Sequence, residues 1–164
     1  KNRSKQMKIL DLGTGSGCIA VSIAKNANSK GVKVFASDIS ASALKVAQAN
    51  AKANKVLIKF SKRNLLAGAK DKFDIIIANL PYVPVSDYKK LYRNLEYEPK
   101  LALTDGSDNF PLIYKFLAQA PKYLNTGGVI IIETDPKFFK QFKTKNARVI
   151  KDIQNLKRFA VIKL

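Results

Sequence analysis

Three stretches of this 164-residue sequence end an apolar run with groups suited to binding or chemistry. The first is "ILDLGTGSGCIA", where Asp11 is followed by Gly13, Gly15 and Gly17 at alternate positions. Glycines let a backbone turn sharply and approach a ligand with no Cβ in the way. The spacing argues against two phosphate-binding loops. A dinucleotide fingerprint needs a glycine where Cys18 stands, and a P-loop needs Gly-Lys-Ser/Thr, whereas the next lysine is Lys25. The second stretch, "VFASDIS", ends on Asp38. A carboxylate there can accept from both hydroxyls of a ribose and disfavours a phosphorylated one. The third, "DIIIANLPYVP", finishes a run that reads as a strand buried on both faces with Asn79, Leu80, Pro81 and an aromatic, Tyr82, expected to be exposed. Asn and Pro are common in plain strand-ending turns, so this stretch alone does not decide between a turn and a site.

Alternating elements position all three. Strands are predicted at "MKILDL", "VKVFASD", "VLIKFS", "FDIIIAN" and "GVIIIE". Between them, "GCIAVSIAKNA", "SASALKVAQANAKAN" and "NFPLIYKFLAQAPKYL" repeat apolar residues at three and four, the period of an amphipathic helix. Ser40 is placed to cap the second helix, and Gly127-Gly128 reads as the stop of the third. Such alternation gives a parallel sheet with helices on both faces. The tail, "ARVIKDIQNLKRFAVIKL", reads instead as a closing antiparallel hairpin. In open parallel sheets the ligand crevice lies beyond the carboxyl ends of the strands, where the three stretches fall. The segment from Val83 to Asn109 lacks a clear strand, and long loops of that kind often carry function.

The glycine loop resembles motif I of class I S-adenosylmethionine-dependent methyltransferases. That resemblance implies an α/β, Rossmann-like class I methyltransferase fold. Its sheet is mostly parallel and seven-stranded, with helices on both faces and an antiparallel C-terminal hairpin. The implied cofactor is S-adenosyl-L-methionine. Asp11 is then expected near its methionine moiety, and the backbone of Gly13, Thr14, Gly15 and Gly17 beneath its carboxypropyl and ribose parts. Asp38 is expected on the ribose and Ile39 on the adenine. Asn64, in "SKRNLL", stands where the family usually has an acid near the adenine amino group; its amide oxygen can still accept that N–H, without charge assistance.

"NLPY" in turn resembles the Asn-Pro-Pro-Tyr signature of amino-group methyltransferases, with Leu80 in the second position. An amide or aryl amine nitrogen is a poor nucleophile because its lone pair is delocalised. Two acceptors set against its two N–H groups hold the NH₂, and their hydrogen bonds strengthen as the attacking nitrogen gains positive character. The resemblance gives these roles to the Asn79 side-chain oxygen and the Leu80 carbonyl, the latter steadied by Pro81. Tyr82 is expected to stack on the flat substrate group.

The spelling "NLPY" also occurs in ribosomal-RNA adenine dimethyltransferases. Those usually carry glutamate at the first motif and at the second strand end, where this chain has Asp11 and Asp38. "DLGTGSGCIAVSIA", "YEPKLALTDGSDNF" and the closing "VIKDIQNLKRFAVIKL" are similar instead to bacterial release-factor glutamine-N5 methyltransferases. Leu80, Asn64 and Asp105 depart from that family's usual residues. Its substrate is the glutamine of the Gly-Gly-Gln loop in class 1 peptide-chain release factors. Glu98 and Pro99 are then expected to shape the substrate side, although a surface glutamate among lysines also serves as an ordinary ion-pair partner. Residues 1–164 are accordingly expected to be the catalytic domain alone. The helical substrate-binding domain that precedes it in the family is absent, and the chain starts without an initiator Met, as a fragment would. Two alternatives stay open: N-methylation of an exocyclic amine of adenine in RNA or DNA, and a cofactor-binding module without turnover.

Bulk composition narrows the classes. An apolar content of 46% suits a soluble domain, and the longest apolar runs are strand-sized, too short to span a bilayer. One cysteine rules out an internal disulfide and fits a reducing cytoplasm, and with no histidine a metal site is not expected. The formal charge of +18 attracts nucleic acid or a partner working beside it, such as the ribosome. A lysine-biased composition, with 25 Lys scattered along the chain against 5 Arg, is the favoured account of it, with nucleic acid second.

Overall fold

Strands rich in Ile, Val and Phe fill the centre of the molecule because their side chains can be buried on both faces. The computed structural model describes residues 6–27, 31–88, 99–141 and 146–163. Its sheet contains β1 (Met7–Leu12), β2 (Val32–Asp38), β3 (Ile58–Lys62), β4 (Phe73–Asn79), β5 (Leu124–Glu133), β6 (Ala147–Lys151) and β7 (Lys157–Lys163). The spatial order is β3-β2-β1-β4-β5-β7-β6. Contacts among β1 to β5 are parallel, whereas β7 runs antiparallel to both β5 and β6. The closing hairpin therefore slots its second strand between β5 and its first. The order reverses direction between β1 and β4, which makes their carboxyl ends the topological switch point.

Helices α1 (Cys18–Asn26) and α2 (Ala41–Ala53) lie on one face. Ala20 of α1 packs with Val34 and Ala36 of β2. Phe35, between them in sequence, points the other way, into the larger cluster with Leu10, Ile76 and Ile130. That cluster also contains Ile113 and Phe116 of α4 (Pro111–Gln119), which follows the short α3 (Lys100–Leu103). The Ser40 hydroxyl caps α2 by accepting from the Ala43 N–H at 3.2 Å, as expected. A further short helix, α5 (Phe138–Gln141), places Phe138 edge-on against Phe110 at 5.6 Å.

The third strand is Ile58–Lys62, two residues later at its start than the run "VLIKFS", and a larger difference falls at the end of α4. Gly127-Gly128 does not stop α4, which ends at Gln119 and tightens into a 3-10 turn over Ala120–Tyr123. Pro121 is the physical reason: lacking an N–H, it cannot continue the α-helical ladder. The glycines lie inside β5, where Gly127 has φ +74 and the register with β4 shifts between Phe73 and Ile75.

Candidate active site

Strand register gathers the sequence-predicted groups into one row. Leu12 is opposite Ser37 on one side and Ala78 on the other, so the next residues, Gly13, Asp38 and Asn79, leave the sheet side by side. Asn79 is in turn opposite Glu133 of β5. On the outer side, the Arg63 N–H donates to the Asp38 carbonyl at 2.9 Å, bringing Asn64 next to Asp38.

The two carboxylates predicted to bind cofactor also hold the glycine loop. Asp11 is only 1% exposed, and its Oδ2 accepts from the Thr14 hydroxyl at 2.5 Å and the Ala20 N–H at 3.0 Å. Its Oδ1 is buried without a hydrogen-bond partner. Burial pushes its pKa up, opposed by the Thr14 and Ala20 hydrogen bonds and helped by the neighbouring Asp38 charge. Asp38 accepts from the Gly15 N–H at 2.9 Å through Oδ2 and from the Ser40 N–H at 2.8 Å through Oδ1. Each carboxylate oxygen can accept twice, so this use leaves room for ribose hydroxyls. The Gly13 and Thr14 N–H groups both donate to the Ser37 carbonyl, at 2.8 and 3.0 Å.

Each glycine of the loop has a distinct task, and all three have positive φ. A Cβ on Gly17 would sit 3.0 Å from the Ala47 Cβ, so this glycine lets α1 and α2 approach. A Cβ on Gly15 would meet nothing within 4 Å, which leaves that stretch open to a ligand. A Cβ on Gly13 would come within 3.2 Å of the Leu80 Cδ2 and 3.6 Å of the Asn79 carbonyl oxygen. The glycine loop and the "NLPY" loop are thus in van der Waals contact.

Asn79 is exposed at the end of β4, Leu80 is buried against Gly13, and Pro81 is half-buried. Tyr82 corrects an expectation. It is half-buried against the larger core cluster instead of exposed, and its hydroxyl donates to the Glu133 Oε1 at 3.0 Å. Burial, then the Glu133 charge and hydrogen bond, push its phenol up to about 12. The chain beyond is tied to the Asp/Gly-rich segment: the Val83 N–H donates to the Leu103 carbonyl at 2.8 Å and the Ser86 N–H to Asp108 Oδ1 at 3.0 Å. Asp105, unusual for the resembled family, accepts from the Ser107 and Leu112 N–H groups at 3.1 and 3.2 Å and so caps α4.

Ile39 is 59% exposed beside Asp38, an apolar surface available to a flat ring. Asn64 is exposed. Glu98 lies outside the described residues; Pro99 is the N-cap of α3. Sequence reasoning passed over Glu133, although it ends "VIIIE" as Asp38 ends its strand, and over Arg158, whose Nε donates to Asp152 Oδ2 at 3.2 Å. Among the described residues no group of His, Cys, Asp and Glu is arranged to hold a metal ion, and no helix is long and apolar enough to cross a membrane.

Residues 3–161 match a family model described as Methyltransferase domain. The chain belongs to that family. Among curated proteins, this methyltransferase domain is 39% identical over 160 residues to a release factor glutamine methyltransferase of Flavobacterium psychrophilum, covering 91% of the chain and 55% of that protein. It is 34% identical over 172 residues to one of Lactococcus lactis, covering 99% of the chain and 63% of that protein. The chain therefore spans about half to two thirds of these relatives. Among solved structures, TrmN from Thermus thermophilus superposes with a TM-score of 0.67 at 23% identity, covering 98% of the chain and 45% of its own. A 16S rRNA methyltransferase from the same organism, in complex with AdoMet and guanosine, gives 0.64 at 17% identity, over 97% of the chain and 38% of its own. These two likenesses support the class I methyltransferase fold, with its mostly parallel sheet and antiparallel closing hairpin.

Proposed function

We propose that this domain transfers the methyl group of S-adenosyl-L-methionine to the side-chain amide nitrogen of the glutamine in the Gly-Gly-Gln loop of a class 1 peptide-chain release factor. Such a substrate puts the reaction in the cytoplasm. The observation that carries the proposal is the packing of Gly13 against Leu80 and the Asn79 backbone, which joins a ligand cradle to a loop of hydrogen-bond acceptors. The release-factor names of the relatives favour a glutamine amide over an exocyclic adenine amine.

The residues fit the cofactor. The open space over Gly15, the spare acceptor capacity of Asp38 and the exposed Ile39 suit the carboxypropyl chain, ribose and adenine respectively. Asp11 and Thr14, engaged with each other, shape the loop, and Asn64 lies at the adenine end. When bound there, the cofactor supplies an electrophilic methyl group on a sulfonium. Asn79 Oδ1 and the Leu80 carbonyl accept from the two N–H groups of the glutamine amide and orient its nitrogen. As positive character grows on that nitrogen both hydrogen bonds strengthen, which selectively stabilises the transition state. The N–H proton of the methylated amide then passes to solvent water, which reaches the exposed strand end at Asn79.

Incubating the domain with methyl-labelled cofactor and either a release factor or ribosomal RNA tests the assignment. Label is expected on the glutamine-containing loop; label confined to RNA would transfer the chain to the amine-of-adenine reading, and binding without label to the non-catalytic one. Proximity to RNA during this reaction is a further part of the proposal. Residues 12–70 contain ten Lys or Arg and one acid, Asp38, so the segment carrying β2 and β3 is strongly cationic in sequence.

A further inference from the structure

We infer that Glu133 is a positioning residue that clasps the acceptor loop through Tyr82; this rests on the proposed methyl transfer to an amide. Asn79 and Glu133 are cross-strand partners at the carboxyl ends of β4 and β5. The Tyr82 hydroxyl returns to Glu133 at 3.0 Å. Backbone from Asn79 to Tyr82, the phenol, the carboxylate and the strand pairing thus form a closed ring. The Leu80 carbonyl and the rigid Pro81 lie inside it, so the ring, together with the buried Leu80 side chain, fixes the direction of that carbonyl.

Three features make this a clasp and not incidental packing. Tyr82 rests against the main core cluster, so its ring is committed to the protein and does not swing over a substrate. Its phenol stays protonated well above neutrality, up to about 12, and therefore remains a donor at any working pH. Glu133 is also held from behind. Its partner in β7 is Phe159, the Thr134 N–H donates to the Arg158 carbonyl at 2.9 Å, and the Arg158 guanidinium interacts electrostatically with both Tyr82 and Glu133. Arg158 is in turn braced by Asp152 in the hairpin turn. The closing hairpin, far from the cofactor row in sequence, thereby acts on the acceptor loop.

A double-mutant cycle on the full chain tests the inference, with kcat, the KM for cofactor and phenol ionisation measured for each variant. Tyr82→Phe and Glu133→Ala are each expected to lower kcat about 10- to 100-fold, the range for losing a hydrogen bond to a charged group. The KM for cofactor should stay within about twofold, the double variant should be no slower than either single one, and Glu133→Gln, which keeps an acceptor, should recover most of the loss. Losses that multiply, or a fall in melting temperature with kcat unchanged, would overturn the clasp. Tyrosinate absorbance at about pH 11, taken as the difference between wild type and Tyr82→Phe, reads the contact without any substrate. Read against its own Tyr82→Phe counterpart, Tyr82 should ionise to a greater extent in Glu133→Ala than in wild type, although burial still holds it above an ordinary phenol. No change there refutes the clasp, whereas a wild-type chain that shows the shift but leaves release factor unmethylated refutes the proposed function instead.

Discussion

Gly13 ties cofactor cradle to acceptor loop through the absence of a side chain. Its φ of +71 already disfavours any other residue, and a Cβ would press on Leu80 at 3.2 Å. Left-handed backbone costs an alanine about 1–2 kcal/mol. Gly13→Ala should therefore lower the melting temperature by about 2–8 °C. It should also depress turnover further than that stability loss explains, because Leu80 must shift and its carbonyl is one of the two proposed acceptors. Calorimetry with a single-turnover assay checks both. Asp38 accepts from the Gly15 and Ser40 N–H groups and, in the proposed function, also from the ribose. Asp38→Ala should weaken cofactor binding by about tenfold or more, measured calorimetrically, since a carboxylate's hydrogen bonds contribute about 1.5–3 kcal/mol each. Unchanged cofactor affinity in that variant would remove Asp38 from the ribose.

At the scale of elements, the hairpin between β6 and β7 depends on one carboxylate. The Leu156 N–H, the Arg158 guanidinium and the Gln154 N–H hold Asp152 below its usual pKa of 3.8. A depressed carboxylate stabilises the fold above its unfolded pKa and loses that contribution as pH falls through the folded one. Asp152→Asn should thus be less stable than wild type at neutral pH, with the gap in melting temperature closing as pH drops below about 4. A gap independent of pH would assign the turn to packing alone. Most elements were legible from the residues: β2 and β4 span the runs "VKVFASD" and "FDIIIAN", and the Ser40 cap follows from side-chain chemistry. The end of α4 was not, because Pro121 and Gly127 are both breakers and local propensity does not rank them. The burial of Tyr82 was hidden for a different reason. Its partner, Glu133, is 51 positions away, and the pairing depends on β4 and β5 being neighbours. Leu80, by contrast, departs from the family signature yet fits, filling the space left above Gly13.

For the molecule as a whole, charge and fold divide along the same line. The segment carrying α1, β2, α2 and β3 has ten bases against Asp38, while ten of the twelve acids lie from Asp71 onward. Retention of the chain on ribosomal RNA should accordingly fall steeply with salt, and charge-reversing Lys55, Lys59 and Lys62 should weaken it more than reversing Lys115 and Lys122. Equal effects from the two sets would make the charge a compositional bias. The sheet's reversal between β1 and β4 brings the cradle and the acceptors together, from segments more than sixty positions apart. The central claim is that Asn79 faces the transferred methyl group and not the rest of the cofactor. Measuring cofactor affinity and release-factor methylation side by side for Asn79→Ala tests it most directly. Affinity should stay within about threefold of wild type while turnover falls on the order of 100-fold. Collapse of cofactor binding, or methylation at the wild-type rate, would contradict the account.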